Sequence, residues 1–286
     1  MSRIAYVNGL YVPLREACVH VEDRGFQFAD GVYEVCEVHR GRMIDETRHL
    51  ERLKRSLREL RIAMPVAESA LKVVLRETIR RNRVVEGLVY MQVTRGAARR
   101  DFVFPAEGTL PSLIVIARQT DRQKADAAAA AGISVITTPD NRWERVDVKS
   151  VSLLPNALAR QKAKEQGARE AWFFDEEGYV TEGAASNAWI ITPERTLVTR
   201  PAEFGILRGV TRTTLLDLAR REGLTVVERP FTVAEARAAQ EAFITAATAV
   251  ITPVIRIDGA PVGDGRPGPL AARLRAAFHE VAEAAS

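Results

Sequence analysis

Cysteine and histidine are scarce in this chain. Its 286 residues include two cysteines, Cys18 and Cys36, and four histidines. The cysteines have no spacing typical of a disulfide framework, and the histidines form no metal-binding pattern such as H-E-x-x-H. We therefore expect no bound metal, and we expect a reducing compartment, the cytoplasm.

Long hydrophobic runs and several common motifs are also missing. No apolar stretch reaches the length of a transmembrane helix, and the first residues do not form a secretory signal, so we expect no membrane partner. The chain has no G-x-x-x-x-G-K-[ST], no G-x-G-x-x-G after a strand and no G-x-S-x-G. A nucleotide-binding phosphate loop and a serine hydrolase are therefore not indicated.

Charge of one sign is not concentrated in any segment. Lysine and arginine number 41 against 37 aspartate and glutamate residues, a net charge of +4. The arginines are spread along predicted helices, which favours solvated side chains, and we expect no nucleic-acid partner. Small anionic substrates or phosphates would suit such a surface.

Apolar periodicity predicts strands and helices in alternation. Asn8-Gly9 between two apolar runs predicts a hairpin, and leucines at helical spacing from Leu50 to Leu60 predict an amphipathic helix over 47–61. Hairpins recur along the chain. This pattern predicts an α/β (α+β) fold with mixed sheets rather than a doubly wound nucleotide fold.

The length of the chain suggests one large or two medium domains. Residues 119–131 are polar and then rich in alanine, and we take 121–131 as the interdomain connection. We expect a smaller N-terminal α/β domain at 1–120 and a larger C-terminal domain at 132–286.

A strand is predicted over Val32–Val38. Alternation places two sets of side chains on opposite faces, Val32, Glu34, Cys36 and Val38 on one and Tyr33, Val35 and Glu37 on the other. Tyr33 and Glu37 should therefore point to the same side.

Lys149 lies in a short apolar segment that precedes a predicted helix. A lysine in partly apolar surroundings can lose its proton near neutral pH and become an amine nucleophile. A carboxylate such as Glu182 could pair with the ring nitrogen of a pyridine cofactor. A solvated lysine would give the same pattern, so these residues alone leave the role of Lys149 open.

Two turns of small residues could bring backbone N–H groups to a ligand. Gly209-Val210-Thr211 opens a helix, where N–H groups and a hydroxyl could receive a phosphate. Ala246-Ala247-Thr248 forms the second turn. Taken alone, both turns are better explained by an ordinary helix start and by close packing.

Seven segments form an ordered set along the chain. They are D-R-G-F-Q-F-A-D-G-V-Y-E at 23–34, H-L-E-R-L at 49–53, V-T-R-G at 93–96, D-V-K-S-V-S-L-L at 147–154, V-T-E-G-A-A-S-N at 180–187, L-R-G-V-T-R at 207–212 and I-T-P-V-I at 251–255. Together they resemble the fold-type IV pyridoxal-phosphate aminotransferases, most closely the D-amino-acid aminotransferases. The resemblance covers nearly the whole chain. It implies a two-domain architecture with the cofactor between the domains and the cofactor lysine in the C-terminal one.

The resemblance implies cofactor roles for the matching positions. Lys149 would hold pyridoxal 5'-phosphate as a Schiff base and shuttle the proton, Glu182 would pair with the pyridinium nitrogen, and Arg52 would bind the phosphate. The remaining cofactor contacts would come from Ser186, Asn187, Leu207, Val210, Thr211, Ala247 and Thr248.

Substrate roles are implied as well. Tyr33 and Val35 would face the substrate, and Arg100 would reach into the neighbouring subunit of a homodimer to hold the substrate carboxylate. Arg99 stands beside Arg100, and either arginine could serve. The D-specific members usually have a histidine where this chain has Phe102, and Glu37 projects towards the Tyr33 side. These differences bear on the substrate range.

The implied reaction is transamination between a D-amino acid such as D-alanine and a 2-oxo acid such as 2-oxoglutarate. Alternatives of the same fold are a branched-chain L-amino-acid aminotransferase, an (R)-selective amine transaminase and a 4-amino-4-deoxychorismate lyase. A binding module without catalytic activity is a further alternative. The presence of Lys149, Glu182 and Arg52 argues against that last alternative.

Overall fold

The chain divides into two compact units. The computed structural model describes residues 3–203 and 205–284. Within the described residues, the first unit extends to Arg122 and also takes Val148–Ser152 and residues 283–284, whereas the second contains Gln123–Asp147 and Leu153–Ala282. Most of the expected connection at 121–131 is helical.

The lysine segment belongs to the first unit and not to the C-terminal domain in which we expected it. The reason is a set of backbone hydrogen bonds along one strand. The Tyr33 N–H donates to the Lys149 carbonyl at 3.0 Å, and the Val151 N–H donates to the Gly31 carbonyl at 3.0 Å. Val148 is buried in the same hydrophobic core.

The first unit is built on a six-stranded antiparallel sheet with the strand order β2-β1-β6-β5-β3-β4. The strands are β1 (Ile4–Val7), β2 (Leu10–Pro13), β3 (Gly31–His39), β4 (Arg42–Met43), β5 (Gly87–Thr94) and β6 (Ser112–Gln119). The helices are α1 (Arg24–Phe28), α2 (Glu46–Glu59) and α3 (Glu68–Arg81), preceded by a 3-10 turn at Leu14–Glu16. The predicted hairpin and the predicted amphipathic helix are both present, as β1–β2 and α2.

The core of this unit lies between the sheet and α2 and α3. Leu50, Leu53 and Leu57 of α2 are buried against alternate residues of β3 such as Val32 and Cys36. The predicted alternation of β3 is confirmed, because its odd-numbered residues from 33 to 37 are half-buried while the even-numbered residues are buried. Burial of the leucine stripe is the main force that fixes α2 on the sheet.

The second unit is built on a mixed sheet with the order β12-β11-β10-β13-β14-β7-β8-β9, to which β15 adds by pairing with β14. Its strands are β7 (Ile133–Pro139), β8 (Glu170–Phe174), β9 (Val180–Gly183), β10 (Asn187–Ile191), β11 (Leu197–Thr199), β12 (Val226–Glu228), β13 (Glu241–Ala246), β14 (Val250–Ile257) and β15 (Ala260–Pro261). Its helices are α4 (Arg122–Ala131), which begins at the boundary of the unit, α5 (Leu154–Glu165), α6 (Val210–Arg221), α7 (Val233–Ala238) and α8 (Pro269–Val281).

Parallel and antiparallel pairs occur together in this second sheet. Strand β7 is parallel to both β8 and β14, and β11 is parallel to β12, whereas the other pairs are antiparallel. The predicted α/β class with mixed sheets is confirmed. None of the helices in the described part of the chain has the length and hydropathy needed to cross a membrane.

Candidate active site

Lys149 is fixed in the first unit by its backbone. Its carbonyl accepts the N–H of Tyr33, and its own N–H donates to Ser56 Oγ at 3.3 Å. Its Nζ lies 4.2 Å from the centroid of the Tyr33 ring. No carboxylate within residues 3–203 and 205–284 pairs with this amine. The amine is therefore positioned against an aromatic face and remains available to a carbonyl group.

Arg52, on α2, is held by a buried carboxylate that the sequence did not assign to the site. Arg52 Nε donates to Glu34 Oε1 at 2.7 Å, and Nη2 donates to Oε2 at 2.8 Å. Glu34 has no exposed surface, and His49 Nδ1 lies 2.7 Å from its Oε2. This two-point pairing fixes the plane of the guanidinium.

The charges of this cluster explain the pKa values of its members. Burial alone would raise the pKa of Glu34, but the Arg52 charge and the hydrogen bonds from Arg52 and His49 lower it to about 2. Burial lowers the pKa of His49 in spite of the nearby carboxylate. The cluster at neutral pH is therefore an Arg52–Glu34 ion pair beside a neutral imidazole.

The other face of β3 presents an aromatic pair. Tyr33 stacks on Tyr90 of β5 with ring centroids 5.7 Å apart. Tyr90 Oη donates to Gln92 Oε1 at 2.5 Å, and burial raises the pKa of Tyr90 to about 12. Val35 lies opposite Tyr90 in the ladder and is half-buried on the same face. Tyr90 and Gln92 were not predicted, although their alternation on β5 was a usable signal.

The arginines of the segment 95–105 fall into two kinds. Arg95 is buried, since its guanidinium donates to Asp30 at 2.7 and 2.9 Å and to the carbonyls of Leu60 and Arg61. This arginine therefore supports the loop. Arg99 and Arg100 are exposed, which agrees with a role in binding an external group.

Aromatic rings surround the Arg100 guanidinium. Its central carbon lies 5.1 Å from the ring centroid of Phe28 and 5.7 Å from that of Phe102. The side chain of Phe102 is 80% exposed. Arg24 holds this loop by donating to the Asp101 carbonyl at 2.6 Å. This role was not predicted from the sequence.

In the second unit, Glu182 lies at a buried position on β9 and receives several hydrogen bonds. Arg142 Nη1 donates to Oε1 at 2.5 Å, Asn187 Nδ2 donates to Oε2 at 3.0 Å, and the Leu207 N–H is 3.2 Å from each oxygen. Burial raises the pKa of Glu182, and the Arg142 guanidinium and the Leu207 N–H oppose that rise. The carboxylate is thus held rigidly with its charge offset by Arg142.

Arg142 was missed because it stands 40 residues before its partner Glu182 in the sequence. Its side chain is 6% exposed, and its other nitrogens donate to Asp140 at 2.6 and 2.8 Å. Thr181 Oγ1 donates to the same aspartate at 2.8 Å. The result is a continuous hydrogen-bonded network behind Glu182.

Asn187 connects Glu182 with the start of α6. Its amide also donates to the Leu207 carbonyl at 3.0 Å. A Cβ at Gly209 would lie 2.0 Å from Asn187 Oδ1, so glycine is required for this close approach. Ser186 Oγ donates to Glu170 at 3.1 Å, which turns its hydroxyl towards that carboxylate.

The first turn of α6 offers backbone N–H groups. Gly209, the N-cap residue, makes no side-chain cap, and Val210 and Thr211 follow it in buried positions. The N–H groups at the start of a helix have no intrahelical acceptor and carry the positive end of the helix dipole. They provide a ready site for an anion such as a phosphate.

The turn between β13 and β14 offers a second set of N–H groups. The Ala249 N–H is used within the turn, donating to the Ala246 carbonyl at 3.1 Å. Among the described residues, the N–H groups of Ala247 and Thr248 have no hydrogen-bond acceptor. The turn therefore offers these two backbone N–H groups and the Thr248 hydroxyl.

These donor groups fit a phosphorylated pyridine cofactor. The first unit supplies an amine without an acidic partner, Lys149, and a fixed guanidinium, Arg52. The second supplies a buried carboxylate, Glu182, and N–H groups at Thr211 and Ala247. An α/β protein that carries such groups has the residues that a pyridoxal-phosphate enzyme needs.

The chain belongs to the class IV aminotransferases. Its residues 31–257 match the model of the family described as amino-transferase class IV. Enzymes of this family use pyridoxal 5'-phosphate to transfer amino groups, and the predicted fold, enzyme class and cofactor are thereby confirmed.

Several curated proteins resemble the chain over almost its whole length. It is 40% identical over 279 residues to a D-alanine aminotransferase of Listeria innocua, a match that covers 96% of this chain and 94% of the relative. It is 39% identical to a D-alanine aminotransferase of Bacillus licheniformis, with 95% and 94% covered. A D-alanine aminotransferase of Staphylococcus haemolyticus is 36% identical, with 98% of both chains covered.

Solved structures with the same fold include branched-chain aminotransferases. The enzyme from Escherichia coli has a TM-score of 0.90 at 25% identity, over 98% of this chain and 95% of that one. The enzyme from the archaeon Thermoproteus uzoniensis, solved with norvaline, has a TM-score of 0.85 at 27% identity, over 98% and 94%.

Proposed function

We propose that this enzyme transfers the amino group of a D-amino acid such as D-alanine to a 2-oxo acid such as 2-oxoglutarate. The observation that carries the proposal is the Lys149 amine, which lies against Tyr33 without a carboxylate partner in the described chain. The D-alanine aminotransferases that match almost the whole chain support the D-amino-acid substrate.

Pyridoxal 5'-phosphate would be held by the residues to which the sequence assigns cofactor contacts. Lys149 Nζ would bond to it covalently, and Glu182 would pair with its ring nitrogen. Arg52 would bind its phosphate together with the N–H groups of Val210, Thr211, Ala247 and Thr248. Leu207 and Asn187 orient Glu182 through the hydrogen bonds described above. When bound, pyridoxal 5'-phosphate supplies the carbonyl that takes up the amino group and the ring that accepts the electrons of the broken C–H bond.

Lys149 is the residue that would transfer the proton of the substrate α-carbon. With a substrate bound, the free Nζ of Lys149 would remove the proton from the α-carbon of the substrate. The Lys149 backbone is held in place by its hydrogen bonds with the Tyr33 N–H and with Ser56 Oγ. Tyr33 forms a wall of the substrate site next to this amine.

Arg142 and Asn187 favour the charged form of Glu182 by binding it, against the burial that raises its pKa. A fixed carboxylate favours the protonated form of a pyridine nitrogen beside it. Arg142 moderates this effect by sharing the charge of Glu182. Arg142 is therefore a positioning residue, since it acts through Glu182.

The substrate carboxylate is bound by Arg100 or Arg99 from a second subunit of a homodimer. Both side chains are exposed, and the loop also exposes Phe102, Val103 and Phe104 by 80, 72 and 50%. Apolar surface of this kind is typical of a protein interface. We place the enzyme in the cytoplasm, where the free thiols of Cys18 and Cys36 stay reduced.

A donor screen tests this function. The purified enzyme, loaded with cofactor, is mixed with D-alanine, L-leucine or an (R)-amine that lacks a carboxylate, and the cofactor absorbance is followed. D-alanine should convert the cofactor at least about a hundredfold faster than L-leucine. Faster reaction with L-leucine would favour the branched-chain alternative, which is the activity named for the similar enzyme from Escherichia coli.

Replacement of the lysine tests the chemistry itself. Lys149→Ala should remove the yellow colour of the covalently bound cofactor and abolish transamination, because no other amine takes its place. Lys162→Ala changes an exposed lysine of α5 and serves as the matched control. A colourless wild-type protein after incubation with pyridoxal 5'-phosphate would contradict the cofactor assignment.

A further inference from the structure

Strand β14 begins, directly after the turn that follows β13, with a strained residue. Val250 has a φ of 56°, in the left-handed region. A β-branched side chain is rarely found there, because it crowds the backbone. Such a conformation persists only when surrounding contacts hold it, and strained residues are concentrated at functional sites.

Arg275, on α8, makes contacts on both sides of this residue. Its Nη1 donates to the Ala249 carbonyl at 2.7 Å and to the Ile251 carbonyl at 2.6 Å. Its Nη2 donates to Asp126 at 2.8 Å, and its side chain is 20% exposed. One guanidinium therefore binds the carbonyls that immediately precede and follow Val250.

We propose that Arg275 is a positioning residue that holds the turn so that the N–H groups of Ala247 and Thr248 bind the phosphate of the cofactor. This inference rests on the proposed function, which assigns the phosphate to that turn. The two N–H groups have no acceptor within the described residues. Arg275 itself donates to carbonyls of the turn, so it acts through the backbone of its neighbours.

Phosphate-dependent binding to the apoprotein tests the role of Arg275. The apoprotein is titrated with pyridoxal 5'-phosphate and, separately, with pyridoxal, which lacks the phosphate. Arg275→Met should weaken binding of the phosphorylated form about tenfold and change pyridoxal binding by less than about twofold, because the loss falls on the phosphate contacts. The control is Arg273→Met on the same helix, whose half-exposed side chain pairs with Glu222, and it should leave both affinities unchanged.

A conservative variant distinguishes loss of the Arg275 contacts from a general loss of folding. Arg275→Lys retains the positive charge but donates from a single nitrogen, so it should bind the phosphorylated form with an affinity between those of the wild type and Arg275→Met. Equal affinities in Arg275→Met and Arg273→Met would overturn the inference. An equal loss for pyridoxal and its phosphate would overturn it too, since that result indicates a general disturbance.

A parallel variant separates this inference from the proposed function. Arg52→Met removes the arginine to which we assign the phosphate. If Arg52→Met weakens binding of the phosphorylated form while Arg275→Met does not, the role of Arg275 is wrong and the phosphate site stands. If the wild-type apoprotein does not bind the phosphorylated form more tightly than pyridoxal, the proposed phosphate site itself is wrong.

Discussion

At the scale of single residues, Glu34 is a buried carboxylate whose hydrogen bonds indicate that it orients Arg52. Its carboxylate is fully buried and binds both Arg52 and His49. A buried ion pair adds little net stability compared with apolar residues, so its value lies in fixing the guanidinium. We infer that Glu34 orients Arg52 towards the phosphate that we assign to it.

Replacing Glu34 should therefore affect both stability and cofactor binding. Glu34→Gln leaves the Arg52 charge buried without a counter-charge, which costs about 3 kcal/mol or more in the free energy of unfolding. Glu68→Gln, which weakens surface pairs with Lys54 and Lys72, should cost at most about 1 kcal/mol. Urea unfolding at pH 7 measures both values. Similar costs for the two variants would contradict the structural role of Glu34.

The effect of Glu34 should depend on pH in a defined direction. Its pKa is lowered from an ordinary value of 4.5 to about 2 in the folded protein. Its stabilising contribution is therefore present above pH 4.5 and is lost as the pH falls towards 2. The difference in unfolding free energy between wild type and Glu34→Gln should shrink across that window. A difference that stays constant from pH 7 to pH 3 would show that the charge of Glu34 is not responsible.

At the scale of elements, the junction of β10 and α6 positions the carboxylate of Glu182. Asn187 begins β10, and Gly209 is the residue before α6. The two residues lie so close together that a Cβ added at Gly209 would be 2.0 Å from Asn187 Oδ1. The Asn187 amide binds both Glu182 and the Leu207 carbonyl. Strand, turn and helix are therefore held together by one side chain, and the glycine is needed for that contact.

The variant Gly209→Ala tests this junction. The added methyl group should displace the Asn187 side chain and lower the free energy of unfolding by about 1–3 kcal/mol. In an Asn187→Ala background, the same substitution should cost much less, because the obstructing amide is gone. Thermal unfolding of the two single variants and the double variant measures this coupling. Strictly additive costs would show that the two residues do not interact in this way.

The elements were easier to predict from the sequence than the contacts between their side chains. The hairpin at Asn8-Gly9, helix α2 and the alternation of β3 followed from local periodicity, which depends on neighbouring residues only. Glu34 was placed on the correct face, but its pairing with Arg52 joins residues that only the folded sheet and helix bring together. The same holds for Arg142 and Glu182. The backbone hydrogen bonds to β3 that group the lysine segment with the first unit are likewise set by tertiary structure.

At the scale of the whole molecule, the exposed loop after β5 is the feature that supports the proposed homodimer. Arg95 and Arg24 anchor the loop from within, through Asp30 and the carbonyl of Asp101. Its tip nevertheless exposes large apolar side chains, including Phe102. A rigidly held loop with an exposed apolar tip is costly in water unless another surface covers it. In the proposed homodimer, the second subunit would cover the tip of this loop, and Arg99 and Arg100 would bind the substrate carboxylate in that subunit's site.

Complementation between inactive variants tests whether the loop works in the partner's site. If it does, a dimer of a Lys149→Ala chain with an Arg99→Ala/Arg100→Ala chain contains one site with both the lysine and the arginines intact. Random pairing of co-expressed chains should then restore about a quarter of the wild-type activity towards D-alanine. If the arginines serve the site of their own chain, every site lacks one component and activity stays at the level of the separate variants. As a control, Lys149→Ala co-expressed with a chain that carries all three substitutions should remain inactive, since no site then retains the lysine.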